Sequence, residues 1–220
     1  MYQEIEIAET ALRPVPYIMG IDYETSAYPE DGGLPIEVAA EMLDASLNTI
    51  GTFCTRISLP EGAAWSEEAY KVHKIAREDL DLMPNLQQAS SMLAQWIASF
   101  TVNVHKVIPL AHNYAFDQKF LDMMLIPKFK KIHLDYRHFD TLTLAGIINS
   151  VAYSRGVGHL FMAPNRVGDI VPSVSLESMR NYFGISHVGA HGAAKDIADT
   201  CEVFRRCTGM MTLNINGAQI

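Results

Sequence analysis

Residues 17–25 read YIMGIDYET, an apolar run that ends in two acids, Asp22 and Glu24. This pattern is typical of a buried strand that opens onto a polar edge, and strand alternation puts both carboxylates on one face, opposite Ile21 and Tyr23. Two neighbouring carboxylates resist burial unless a cation neutralises them, and oxygen ligands favour Mg²⁺ or Mn²⁺. The alternative is a strand that runs into a solvated turn, and a D-x-E tripeptide alone does not decide between the two.

The bulk composition fits one α/β domain in the cytoplasm. The 220 residues are 49% hydrophobic, which is enough for a core, and no stretch approaches the ~20 apolar residues of a membrane span. The acidic start, MYQEIEIAET, does not resemble a signal peptide. The three cysteines contain no C-x-x-C pair, which favours a reducing compartment without a disulfide framework. The net charge of −8 argues against coating long nucleic acid, but an enzyme that grips only a strand end is compatible with it.

Hydrophobic periodicity predicts alternating strands and helices around this stretch. Further strands are predicted over Pro35–Leu43, Thr52–Leu59, Val107–Ala111 and Ile132–Phe139. Helices are predicted after an N-cap at Ser66, over Pro84–Phe100, after Asn113, over Thr141–Ala152, and over 175–183 and 191–206. Residues 154–173 contain three glycines and two prolines, which predicts a long loop. We therefore expect a lead-in over 1–16, a domain over 17–206 and a tail over 207–220.

A third acid follows a predicted strand in AHNYAFDQKFL, residues 111–121. Asp117 falls about one turn into the helix, at the edge of the buried face that Phe116 and Phe120 form. The alternative is an ordinary helix acid in solvent.

A fourth acid and a histidine occur in AHGAAKDIADT, residues 190–200. Asp196 flanks an apolar stripe on the predicted helix. His191 is five residues earlier, ~140° around a helix and ~7.5 Å along it, so the two side chains cannot share one helical face. We expect His191 at the start of the helix, where Gly189 and Gly192 let it swing over a site that Asp196 lines. The alternative is a surface histidine beside a flexible turn.

Together these stretches resemble the DEDDh family of 3′–5′ exonucleases, which includes the proofreading subunit of bacterial replicative polymerases and oligoribonuclease. The D-x-E-T motif matches Asp22–Thr25, H-N-x-x-F-D matches His112–Asp117, and H-x-A-x-x-D matches His191–Asp196. Weaker similarities occur at Pro35–Ala39, at Ala69–Ile75 and at the D-T-L of Asp140–Leu142. The resemblance covers about residues 17–206. It implies an α/β ribonuclease H-like fold, with a mixed central sheet flanked by helices.

The resemblance also implies a site. Two Mg²⁺ ions, with Mn²⁺ as a substitute, are held by four acids: Asp22, Glu24, Asp117 and Asp196. His191 is the implied general base, and His187 is its rival for that role. The predicted substrate contacts are Thr25 at the terminal 3′-hydroxyl and His112, Asn113, Tyr114 and Phe116 at the last nucleotides, with core packing as the alternative for Phe116. The family's usual Thr-Gly after the first motif is replaced by Ser26-Ala27.

The implied function is that of a 3′–5′ exodeoxyribonuclease, which releases nucleoside 5′-monophosphates in proofreading or DNA degradation. Its partner is a single-stranded 3′ end, and a DNA polymerase is a further candidate partner. An exoribonuclease that trims short RNA is the alternative, because nothing in the motifs reads the sugar. An inactive module that binds nucleic acid or a polymerase is the alternative of another class, and the complete set of acids and histidine argues against it. The lysines of residues 128–131, beside Phe129, either contact phosphates or belong to a solvated turn after Pro127.

Overall fold

A five-stranded mixed sheet forms the centre of the computed structural model, which describes residues 16–101, 106–211, 214–215 and 218–219. The strand order is β3–β2–β1–β4–β5, where β1 pairs antiparallel with β2 and parallel with β4. The strands are β1 (Ile18–Thr25), β2 (Pro35–Leu43), β3 (Thr49–Arg56), β4 (Ile108–Ala111) and β5 (Phe139–Asp140). This arrangement confirms the predicted ribonuclease H-like mixed sheet, and the YIMGIDYET stretch is its central strand.

Among the described residues, seven α-helices flank the sheet. They are α1 (Glu67–His73), α2 (Leu86–Thr101), α3 (Tyr114–Met124), α4 (Pro127–His133), α5 (Thr141–Ser154), α6 (Leu176–Phe183) and α7 (Ala193–Gly209). The predicted N-cap of α1 is confirmed, because the Oγ of Ser66 accepts a hydrogen bond from the backbone N–H of Ala69 at 3.2 Å. Within the described part of the chain, no helix is long and apolar enough to cross a membrane.

The helices cover the sheet on both faces. On one face, buried residues of α2 and α3 pack against Met19, Ile21 and Tyr23 of β1. On the other face, α7 packs its apolar stripe against β1, β2 and β4 through Ala193, Ile197, Cys201 and Phe204. Gly20 permits this close packing, because a Cβ at that position would lie 2.6 Å from Cys201 Sγ and 2.9 Å from Ile197 Cδ1. Helix α7 is thereby held directly over the strand that carries Asp22 and Glu24.

The predicted strand over Ile132–Phe139 is wrong for most of its length. Pro127 occupies the first turn of α4, where backbone N–H groups have no partner within the helix, so the missing N–H of proline costs no hydrogen bond. The helix continues through His133. Leu134 forms an isolated parallel bridge with Val107, and the two residues of β5 pair with β4. The lysines of residues 128–131 therefore lie on a helix, and the predicted turn after Pro127 is also wrong.

The predicted loop over residues 154–173 contains a short hairpin. Its strands are β6 (Met162–Pro164) and β7 (Ile170–Pro172), which pair antiparallel. Buried Asn149 of α5 fastens the base of this hairpin: its Nδ2 donates to the carbonyls of Phe161 and Ser173 at 3.1 Å, and its Oδ1 accepts two backbone N–H bonds. This satisfied amide acts beside the buried ring of Phe161, and it is not visible as a sequence pattern.

The predicted limits of the domain fall close to those of the described elements. The lead-in over 1–16 lies outside the described residues, apart from Pro16. Helix α7 extends to Gly209, past the predicted end at 206, and a short antiparallel pair follows, β8 (Asn214–Ile215) with β9 (Ala218–Gln219). The domain limits themselves remain predictions.

Candidate active site

The four predicted metal ligands come from three elements that meet at one edge of the sheet. Asp22 and Glu24 lie near the end of β1, Asp117 lies in the first turn of α3, and Asp196 lies in the first turn of α7. Because β1 and β4 are parallel neighbours, the helix that follows β4 begins beside the end of β1. Helix α7 approaches the same strand from the opposite face of the sheet.

The four carboxylates share one electrostatic environment. Burial raises the pKa of Asp22 well above its ordinary range, and the charges of Asp117, Glu24 and Asp196 raise that pKa further. Burial also raises the pKa of Asp117, although the backbone N–H groups of Asp117 and Tyr23 oppose this shift. Asp117 is only 2% exposed, so it is not the solvated helix acid of the alternative interpretation. Burial, Asp196 and Glu37 together raise the pKa of Glu24 to about 8.

This donor set fits hard divalent cations. Within residues 16–101 and 106–211, no three His, Cys, Asp or Glu side chains converge as ligands in the conformation seen here. The four acids nevertheless supply only oxygen atoms, which Mg²⁺ and Mn²⁺ prefer, and burial beside neighbouring carboxylates raises the pKa of Asp22, Glu24 and Asp117. A bound cation would remove both the repulsion and the burial penalty.

We expect the metal-free protein to lose stability as the pH rises from about 4.5 to about 8. The pKa of Glu24 is about 8 in the folded state against an ordinary value of 4.5, so the folded state holds a proton that the unfolded chain releases. The stabilisation is therefore complete below pH ~4.5 and is lost as the pH rises through the folded-state value. Thermal unfolding in EDTA at a series of pH values measures this effect, and Glu24→Gln should flatten the slope. Saturating Mn²⁺ should reverse the trend, and an unchanged slope in the variant would contradict the assignment to Glu24.

A cavity of about 270 Å³ opens beside Glu24 and Thr25. It is lined by Tyr23, Glu24, Thr25, Ala27, Tyr28, Glu68, Ala69, Val72, His73 and Phe116. Phe116 lines this cavity and also packs edge-on against Phe120, with ring centroids 5.2 Å apart, and its contact with substrate remains a prediction. Tyr114, in contrast, is 7% exposed and stacks on His138 at 4.3 Å between ring centroids, away from the residues that line the cavity.

Two buried polar groups on the cavity wall are not satisfied by the described residues. The Tyr23 hydroxyl and His73 Nε2 have no hydrogen-bond partner there. Because His73 Nδ1 accepts the backbone N–H of Ile75 at 2.9 Å, Nε2 carries the ring proton and is a donor. Unpaired buried groups are costly, so a ligand with hydroxyl or carbonyl oxygens would stabilise this cavity. The sequence similarity around residues 69–75 pointed to this helix but not to a role for His73.

The H-N-x-x-F-D motif, residues 112–117, is held in place by the D-T-L segment, residues 140–142. The backbone N–H of Asn113, which has a left-handed φ of 72°, donates to Asp140 Oδ1 at 2.9 Å. Thr141 Oγ1 donates to the Ala111 carbonyl at 3.3 Å, so His112 Nδ1 donates to that hydroxyl at 2.9 Å. Burial lowers the pKa of His112 to about 4, which keeps its ring neutral with a free lone pair on Nε2. Asn113 is exposed at the mouth of the site, where its side chain is accessible to substrate.

His191 lies where the sequence predicted, just before the start of α7. It is exposed and has a left-handed φ of 67°, between Gly189 and the N-cap Gly192. Its backbone N–H donates to Asp196 Oδ1 at 3.1 Å, which brings the residue beside the acid cluster and leaves the ring free of that bond. The rival, His187, is bonded through Nε2 to Asn181 Oδ1 at 2.9 Å on the outer side of the same loop.

Two further residues near Asp196 were not predicted from the sequence to belong to the site. Glu37 of β2 accepts the backbone N–H of Ala193 at 3.0 Å, so a buried acid of the sheet fixes the first turn of α7. Arg180 of α6 is 2% exposed and donates to Asp196 Oδ1 through Nη2 at 2.6 Å. Neither residue belongs to a local pattern, because each partner is far away in the sequence.

The fold and the acid cluster define a nuclease of the ribonuclease H-like class that uses metal ions. A family-level comparison makes this specific: the RNase T exonuclease model matches residues 19–204, and the chain belongs to this exonuclease family. Members of the family depend on divalent metal ions. The resemblance drawn from the three motifs is thereby confirmed. No curated protein sequence matches the chain.

Solved structures of exonuclease I share the fold. Escherichia coli exonuclease I in complex with a dA16 oligonucleotide has a TM-score of 0.67 at 19% identity, and the match covers 87% of this chain and 40% of that one. The moderately thermophilic exonuclease I of Methylocaldum szegediense has a TM-score of 0.71 at 18% identity, with 90% and 41% covered. A zinc-bound form of the E. coli enzyme with single-stranded DNA has a TM-score of 0.68 at 18% identity, with 90% and 41% covered. The chain thus spans about two fifths of the length of these proteins.

Proposed function

We propose that this chain is a metal-dependent 3′–5′ exodeoxyribonuclease that releases nucleoside 5′-monophosphates from single-stranded DNA. The observation that carries the proposal is the meeting of four acids and His191 at one edge of the sheet, beside a cavity large enough for one nucleoside; Asp117 is buried and the other three acids are half-buried. The exonuclease family match and the DNA-bound structures of similar fold support it.

The acids supply the metal site in this proposal. Asp22, Glu24, Asp117 and Asp196 would hold two Mg²⁺ ions, or Mn²⁺ in their place, which when bound supply a nucleophilic water and neutralise charge at the scissile phosphate. His191, exposed and beside Asp196, takes the proton from the attacking water. Its position on a glycine-flanked turn lets the ring approach the water without being a ligand itself.

The cavity beside Thr25 receives the terminal nucleoside. Thr25 meets the 3′-hydroxyl, Phe116 packs against the base, and the unpaired groups of Tyr23 and His73 are available to sugar or base oxygens. His112 and Asn113 lie at the start of α3, where the neutral Nε2 and the exposed amide can bond the next nucleotide.

The proposal also includes a cellular location and a binding partner. We propose a cytoplasmic location, on the basis of three cysteines without a pairing pattern. The comparisons give no support to a polymerase partner, and the partner we propose is the single-stranded 3′ end alone.

The test uses DNA and RNA of equal sequence, each labelled at the 5′ or the 3′ end, with Mg²⁺ and an EDTA control. We expect 5′-labelled DNA to shorten one nucleotide at a time and 3′-labelled DNA to release its label at once as a 5′-monophosphate. Circular single-stranded DNA should survive. Cutting of the circle would overturn the proposed exonuclease polarity. Faster digestion of RNA than of DNA would make the enzyme an exoribonuclease. Binding of DNA or RNA without digestion would favour the alternative of an inactive binding module.

A further inference from the structure

Arg180 is a buried arginine whose guanidinium bridges two carboxylates of α7. Its Nη2 donates to Asp196 Oδ1 at 2.6 Å and its Nε donates to Asp199 Oδ2 at 2.7 Å, and the side chain is 3% exposed. Such an arrangement fixes all three groups, because a planar guanidinium with two bonded partners has little rotational freedom. Lys195 completes the cluster by contacting Asp199 Oδ1 and donating to the carbonyl of Ser186 at 3.0 Å.

The bonds to Asp196 are asymmetric. Among the described residues, both hydrogen bonds that its carboxylate accepts, from Arg180 Nη2 and from the backbone N–H of His191, fall on Oδ1. Oδ2 therefore accepts no hydrogen bond from the described residues. The same oxygen also ties the backbone of His191 to the guanidinium, and Lys195 ties the loop before it through Ser186. One cluster thus holds both the last acid of the site and the segment that carries the histidine.

We propose that Arg180 is a positioning residue of the exonuclease site, which orients Asp196 so that Oδ2 faces the metal ions and which holds the His191 segment over them. The proposal rests on the proposed function, since it assigns Arg180 a role only if Asp196 is a metal ligand. Helix α6 would then contribute to catalysis without touching substrate, metal or water.

A purely structural ion pair between α6 and α7 is the competing explanation. Arg206 provides the comparison, because it also joins the two helices: it donates to Glu202 at 2.6 Å and to the Phe183 carbonyl at 2.8 Å. Arg206 is exposed and makes no contact with Asp196. A structural role predicts lower stability with an unchanged metal site in both variants, and a larger loss for buried Arg180 than for exposed Arg206, whereas a positioning role predicts an effect on the metal site from Arg180 alone.

The deciding variant is Arg180→Lys, with Arg206→Lys as its matched control. Lysine keeps the positive charge near the ions but lacks the planar fork that reaches both carboxylates at once, so the change tests orientation rather than charge. We expect Mn²⁺ binding, measured by titration calorimetry without DNA, to weaken by ~10–100-fold, the usual effect of losing an outer-shell partner. The value of kcat on an oligo-dT substrate should fall by a similar factor, while KM changes by no more than about twofold. Arg206→Lys should leave all three quantities unchanged.

Three outcomes would overturn the proposal. Wild-type Mn²⁺ affinity and kcat in Arg180→Lys, with only a lower unfolding temperature in EDTA, would make Arg180 a structural residue. Equal losses in both arginine variants would indicate general loosening of α6 against α7. If the wild-type protein neither binds Mn²⁺ nor digests DNA, the proposed function fails first, and the inference about Arg180 fails with it. Should Arg180→Lys not fold, Asp199→Asn removes the second carboxylate while keeping its volume, and the same titration decides by the same criteria.

Discussion

Replacing Asp22 or Asp117 with asparagine should abolish digestion of single-stranded DNA while the protein remains folded. Each residue is a predicted ligand, so the loss should reach ~10⁴-fold or more, which corresponds to ~5.5 kcal/mol of transition-state stabilisation at 1.36 kcal/mol per factor of ten. Mn²⁺ affinity should fall together with the rate. Asp122→Asn is the matched control, because Asp122 lies on the same helix as Asp117 but is exposed and paired with Lys130.

The same substitutions should raise the unfolding temperature in EDTA. Burial and mutual repulsion raise the pKa of both Asp22 and Asp117, so each carboxylate destabilises the metal-free folded state when it is charged. Asp196→Asn should act in the opposite direction, because it weakens the bond to the buried guanidinium of Arg180. Near-wild-type turnover in Mg²⁺ for any of the three variants would remove that residue from the set of ligands.

The sequence was sufficient for the first four strands of the sheet and for the order of the site because both depend on local patterns. The YIMGIDYET stretch, the meander that follows it and the apolar stripe of α7 are visible as alternation or helical periodicity, and the structure shows all of them. The resemblance then placed the acids and His191 in three motifs. Their roles as ligands and base remain predictions, which the expected variants test.

What the sequence could not show depends on contacts between distant residues. Asp117 falls at the edge of a helical face by periodicity, yet it is 2% exposed because the first turn of α3 abuts the end of β1. Arg180 lies 16 and 19 residues from its two partners, on another helix, and no spacing rule links them. The hairpin at residues 162–172 is held at its base by a buried amide from α5 as well as by the buried ring of Phe161. Long-range hydrogen bonds of this kind determine the orientation and burial of side chains, but they produce no periodic pattern in the sequence.

Replacing His191 with alanine should lower kcat by ~10²–10⁴-fold, the usual contribution of a positioned general base. The ring is exposed and forms no bond to the acid cluster, which His191 contacts through its backbone N–H. Mn²⁺ affinity and KM for oligo-dT should therefore remain close to wild type, in contrast to the aspartate variants. A general base acts only when it is unprotonated, so the rise of the wild-type rate with pH that such a base produces should be lost in the variant.

The left-handed backbone at His191 and the presence of His187 call for two controls. His191→Asn tolerates the φ of 67° better than alanine does, so equal losses in both variants would show that the ring, rather than backbone strain, is responsible. His187→Ala removes the rival, whose ring is bonded to Asn181, and should leave the pH dependence intact. If only the His187 variant loses the rise of the rate with pH, the base is His187. If His191→Ala, His191→Asn and His187→Ala all keep this rise, no histidine of this loop takes the proton, and hydrolysis relies on the acid cluster and its metal ions alone.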